Sequence, residues 1–270
     1  MTTVMTTLGR LVFALAALVA TGVAVASEAN LRMPLAPVNR LDVASLQRGA
    51  RNFVNYCLNC HSAKYMRYNR LTDLDLTEQQ IKDNLMFATD KIGETMQTAM
   101  RPEDARKWFG NPPPDLSVEA RVRGRDWLYN YLLSFYRDDQ SATGWNNLVF
   151  PNVGMPHVLW ELSGVYKVVD AEYENHEKAE GAAIATRGIS LIEPATYPKY
   201  IVRTITQESP GKLSRQDYEA FVADLVNYMD YMAEPARNDR MRIGIIVLLF
   251  LGVLFALAYW TKVEFWKDVH

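Results

Sequence analysis

Two cysteines, Cys57 and Cys60, stand two residues apart and are followed at once by His61, and the chain has no other cysteine. This spacing is the attachment signal of a c-type haem: each thiol closes a thioether to one vinyl side of the porphyrin while the adjacent imidazole reaches the iron. Competing chemistries fit less well. A structural zinc site needs two further ligands at short spacing, and no second pair exists. A thioredoxin-like redox pair has no use for His61, and a disulfide across two residues is geometrically poor.

A haem iron held by His61 leaves a sixth position, and the loop Phe150-Pro151-Asn152-Val153-Gly154-Met155-Pro156-His157 offers two candidates. Met155, between glycine and proline, sits in irregular backbone suited to presenting a thioether, and a Met ligand raises the reduction potential relative to a second imidazole. Its alternative role is to fill an apolar gap. His157 is the other candidate, with a plain surface histidine as its alternative. Three prolines, Pro112 to Pro114, force an extended segment without amide donors, a rigid wall suited to the flank of a porphyrin. Arg121 and Arg123 suit the two propionates, because a guanidinium makes paired, charge-assisted bonds to carboxylate; solvated surface is their other reading. Trp127 leads an aromatic stripe with Tyr131 and Phe135 at helical spacing, expected to pack in a core that includes the haem.

The elements that position these groups are mainly helical. Asp42 or Ser45 can cap a helix carrying Leu46, Ala50, Phe53, Val54 and Cys57 on one face, which delivers the cysteines at its end. Thr77 with Gln80 three residues on marks a capping box, a short turn runs from Pro102 to Trp108, and Gly124 opens the helix of the aromatic stripe. Ser214 caps a long amphipathic helix that Pro235 ends. A helix running straight into the haem signature, with a long C-terminal helix packed against it, resembles the class I cytochrome c fold. The acidic stretch around Glu172, Glu174, Glu177 and Glu180 reads first as a solvated face and second as a surface that steers a basic partner.

The ends of the chain are apolar. Arg10 and the run Leu11 to Ala26, closing on Ala24-Val25-Ala26, have the order of a secretory signal peptide. Ile243 to Thr261 pass without a charge, enough to span a bilayer, with Tyr259, Trp260 and Trp266 at one interface. The expected organisation is a signal peptide at 1–26, a haem domain at 27–238, a membrane anchor at 239–262 and a tail at 263–270. Arginines before the span and lysines after it leave its orientation open on charge alone, and export of the haem domain places that domain outside. A net charge of -2 over 270 residues, with no basic stripe, excludes nucleic acid as a partner.

Several segments in sequence, Cys57 to His61 followed by Ser62-Ala63-Lys64-Tyr65, Trp108-Phe109-Gly110, Pro113-Pro114-Asp115-Leu116-Ser117, Arg121-Val122-Arg123-Gly124, Phe150 to Met155, and Ala233-Glu234-Pro235 before one C-terminal span, resemble the cytochrome c1 family. The resemblance covers nearly the whole mature chain. It implies a class I cytochrome c-like domain with insertions, one covalent haem c on Cys57 and Cys60, His61 as proximal ligand, and Arg123 near a propionate. It also implies a place in a dimeric ubiquinol:cytochrome c reductase (cytochrome bc1) complex in a bacterial inner membrane, with the haem domain in the periplasm. There the chain would take electrons from a Rieske iron-sulfur protein, beside a cytochrome b subunit and lipid, and pass them to a cytochrome c. A free-standing tethered cytochrome and a haem-based sensor are the alternatives.

Overall fold

The computed structural model describes residues 30–186 and 188–267. The expected signal peptide at 1–26 and the end of the expected tail, 268–270, lie outside the described residues. After β1 (Leu31–Arg32) and an extended arm comes α1 (Val43–Tyr56), capped by Asp42, whose carboxylate accepts the Ser45 N–H at 2.9 Å. β2 (Ala63–Arg67) pairs antiparallel with β3 (Thr95–Met96), and between them lie a short 3-10 helix and α2 (Glu78–Leu85). The Thr77–Gln80 capping box forms in both directions. α3 (Pro102–Phe109) begins on its proline and stops at Gly110. α4 (Glu119–Val122) and α5 (Arg125–Leu133) flank Gly124, whose φ of 90° turns the chain between them in a conformation costly for any other residue.

The second half alternates a hairpin, a sheet and two long helices. β4 (Phe135–Arg137) pairs with β5 (Trp145–Asn147), and the short α6 (Trp160–Ser163) follows. β6 (Gly164–Tyr173), α7 (His176–Ala185), β7 (Ser190–Pro194) and β8 (Tyr200–Pro210) build an antiparallel sheet of order β1-β7-β8-β6. α7 lays Ala179 and Ala183 onto Ile192 and Val202 of that sheet. Part of the acidic stretch is paired within this module: Asp170 holds Arg203 through two bonds at 2.9 Å, Glu172 pairs with Lys199, and Glu174 pairs with Lys178.

The core forms where α8 (Arg215–Ala233) crosses α1. Leu46, Ala50, Phe53 and Val54 of α1 meet Val222, Leu225, Val226 and Met229 of α8, all of them buried. The helices approach so closely at Gly49 that a Cβ there would lie 2.1 Å from the Asp224 carbonyl oxygen and 2.6 Å from the Tyr228 Cβ. Three residues, Glu234 to Ala236, then separate α8 from α9 (Arg237–Phe265). Arg40 clamps this junction by donating to the carbonyls of Tyr231 and Glu234, with Asp230 at 3.7 Å, and Arg240 pairs with Glu234 at 2.8 Å. From Asp239 to Phe265 the helix is long and apolar enough to cross a membrane, with a mean hydropathy of 2.6 in its most apolar window and none of that window buried.

Candidate functional site

α1 delivers Cys57 as its C-terminal cap, with its N–H donated to the Phe53 carbonyl at 2.9 Å. The chain then folds back, and the N–H groups of Cys60 and His61 both donate to the Cys57 carbonyl, at 3.0 and 2.8 Å. One tight turn thus brings two sulfurs and an imidazole to one wall. Burial pushes the Cys57 thiol up to about 12 and raises Cys60 as well, so these are neutral thiols and not the activated thiolate of a redox pair. They are not joined to each other.

The His61 ring is fixed by the proline segment. Its Nδ1 lies 2.7 Å from the Pro114 carbonyl oxygen, which can only accept; Nδ1 therefore carries the proton and Nε2 keeps its lone pair for a metal. Burial lowers the pKa of His61 below its ordinary value, which favours that neutral form. Prolines cannot donate, so the residues beyond them anchor the segment to the chain after the cysteines. Leu116 N–H donates to the Ser62 carbonyl at 2.8 Å, Lys64 N–H to the Asp115 carboxylate at 2.9 Å, and Tyr65 N–H to Ser117 Oγ at 3.0 Å.

Cys57, Cys60 and His61 line a cavity of about 390 Å³ with mostly apolar walls, together with Pro114, Arg123, Trp127 and Met155. The volume falls in the ~300–1,000 Å³ range of small-molecule and cofactor sites. Two free thiols, an imidazole with an available Nε2 and a thioether form a donor set suited to a covalently attached iron porphyrin. The residues present fit a haem c.

Of the residues singled out in the sequence, Cys57, Cys60, His61, Pro114, Arg123, Trp127 and Met155 meet at this cavity, and Arg121 and His157 do not. Arg123 sits at its rim, with its guanidinium 4.8 Å from the Trp127 ring centre, 5.7 Å from that of Phe150, and 3.2 Å from Glu119. Arg121 is exposed and outside the lining. His157 also lies off the cavity wall, and it is no surface residue either. It is buried, stacked on Phe135 at 4.8 Å, with Nε2 2.8 Å from Ser163 Oγ, and burial holds its pKa down at about 3. A neutral core histidine engaged in this way is turned to the hydrophobic cluster of Phe135 and Trp145.

The loop carrying Met155 is tied by two adjacent asparagines, which no local sequence signal marks. Asn147 Oδ1 accepts from the N–H groups of Val149 and Phe150 at 2.9 and 3.1 Å, while its Nδ2 donates to the Tyr131 carbonyl at 2.7 Å. Asn146 Oδ1 accepts from Asn152 N–H at 2.8 Å. Asn147 is fully buried, so Asn147→Ala strands several backbone groups. The expected cost is about 1–3 kcal/mol, read as a lower denaturant midpoint of the holoprotein. Tyr131 was legible as core, but not as a donor: its hydroxyl lies 3.4 Å from Met155 Sδ.

Comparison with known proteins fits this site. The model of the Cytochrome C1 family matches residues 35–204 and 210–269. A protein named cytochrome c1 from Allochromatium vinosum is 44% identical over 262 residues, covering 97% of this chain and 99% of that one. One named ammonia monooxygenase gamma subunit from Nitrosomonas europaea is 43% identical over 256 residues, covering 95% and 97%. Cytochrome c1 of Rhodospirillum rubrum is 29% identical over 249 residues, covering 85% and 84%.

Proposed function

The chain belongs to the cytochrome c1 family, and from that premise we propose how its residues serve one-electron transfer. It is a membrane-anchored, electron-carrying subunit of a cytochrome bc1 complex, works with cytochrome b and a Rieske iron-sulfur protein, and carries one covalent haem c. Bound in the cavity, that haem supplies a one-electron redox centre. Cys57 and Cys60 bind it by thioethers, His61 offers Nε2 to the iron, and the Pro114 carbonyl holds the imidazole in the tautomer and orientation that this requires. Met155 supplies the sixth ligand, and Arg123 faces a propionate. Pro114 and Trp127 form apolar walls that exclude water; Arg121 meets solvent or a partner.

Residues 27–238 form the haem domain on the periplasmic side, 239–262 anchor it, and 263–270 face the cytoplasm. The acceptor is a soluble or tethered cytochrome c, and the complex is a dimer. The observation that carries this reading is the His61–Pro114 bond on the wall where two free thiols and Met155 also lie.

The test is made on the complex in its membrane. Ubiquinol is expected to reduce the c-type haem, and a chain that extracts without a b-type haem subunit would instead be a free-standing cytochrome. Met155→Leu is expected to abolish the sulfur-to-iron charge-transfer band at the red end of the oxidised spectrum. It is also expected to raise the oxidised-to-reduced ratio at fixed potential by at least about a hundredfold, a fall of about 118 mV at 59 mV per tenfold. A band that survives the substitution overturns the ligand assignment.

A further inference from the structure

We propose that Tyr131 is a positioning residue for the Met155 thioether, and that its hydroxyl raises the reduction potential of the haem by donating to the sulfur. The inference rests on the reading of Met155 as the iron's sixth ligand.

The donor is unusually constrained. The Tyr131 ring stacks on Trp127 at 5.0 Å with 9° between planes, and meets Phe135 edge-on at 5.1 Å. Neither neighbour leaves the ring free to swing, so the hydroxyl stays 3.4 Å from Met155 Sδ. The backbone of the same residue holds the loop as well, because the Tyr131 carbonyl accepts from Asn147 Nδ2 at 2.7 Å and Asn147 ties the backbone at Val149 and Phe150. One residue of α5 thereby fixes both the start of the ligand loop and the sulfur near its end.

The sign follows from electrostatics. A hydroxyl donating to a thioether places the positive end of its dipole at the sulfur and withdraws electron density from it. A poorer sulfur donor stabilises ferric iron less than ferrous, so the bond favours the reduced haem. In an apolar cavity the effect is weakly screened.

The experiment uses the intact complex and titrates the c-type haem of Tyr131→Phe. The expected result is a charge-transfer band that persists while the oxidised-to-reduced ratio at fixed potential rises about threefold to tenfold, a fall of about 28–59 mV. A persisting band with an unchanged or higher potential overturns the inference and leaves Met155 as ligand. If Met155→Leu leaves the band intact, both the ligand reading and the inference fall, and the two failures are distinguishable. Should the phenylalanine variant assemble poorly, 3-fluorotyrosine placed at position 131 keeps the ring and strengthens the donor. It is expected to raise the potential, and no rise overturns the inference.

Discussion

Replacing Cys57 and Cys60 together with serine is expected to leave no haem on the chain after acid-acetone extraction, and no pyridine haemochrome from it. Serine hydroxyls cannot form the thioethers, and His61 alone, held by one carbonyl, keeps the porphyrin only by ligation and apolar contact. The loss extends to the fold. The cavity of about 390 Å³ opens between α1, the proline segment and the Met155 loop, and an unfilled void of that size removes the contacts its walls depend on. Quinol-driven electron flow through this subunit is expected to fall sharply, because a porphyrin without its thioethers is neither firmly retained nor firmly placed. Single Cys57→Ser or Cys60→Ser chains, with one thioether possible, should retain a reduced amount of stainable haem. Full covalent attachment in the double variant would sink the assignment.

Gly49→Leu is expected to be the most damaging substitution outside the cavity. Even a Cβ at this position would lie 2.1 Å from a backbone oxygen of α8, and backbone cannot rotate aside as a flexible side chain can. The helices must separate or slide. Overpacking of a dense core costs about 1–3 kcal/mol per insertion, occasionally more, which places Gly49→Ala at about 1–3 kcal/mol and Gly49→Leu above it. Cys57 caps the same helix, so displacement of α1 also displaces the haem turn. The measurement is the denaturant midpoint of holoprotein for Ala, and the yield of haem-stained chain for Leu. A Leu variant with wild-type yield and midpoint would refute the close crossing.

What could be read in the sequence was whatever local chemistry dictates. The Asp42 cap, the Thr77–Gln80 box, the Gly124 turn and the Ser214 cap are each set by residues within a few positions of one another, and each forms. The cysteine spacing belongs to the same class. The sheet of β1, β7, β8 and β6 was not legible, because its first strand is two residues long and pairs with Ser190 and Leu191 far along the chain, while β6 pairs with β8 across an intervening helix and strand. Long-range contacts hid the rest of the site too. His157 looks like a surface residue until Phe135, Trp145 and Ser163 close over it, and Asn146 and Asn147 look like loop residues until their amides meet the backbone they hold. Arg121 and Arg123 cannot be separated by composition; only the turn of α4 puts one at the rim and the other in water.

Only Glu234, Pro235 and Ala236 lie between the last core helix and the apolar one, and Arg40 and Arg240 pin that passage from both sides. A tether this short, held through Arg40, keeps the globular part close to the end of the apolar helix and limits how far it can reach. The shorter that reach, the more of the travelling needed to carry charge in and out falls to the visiting molecules.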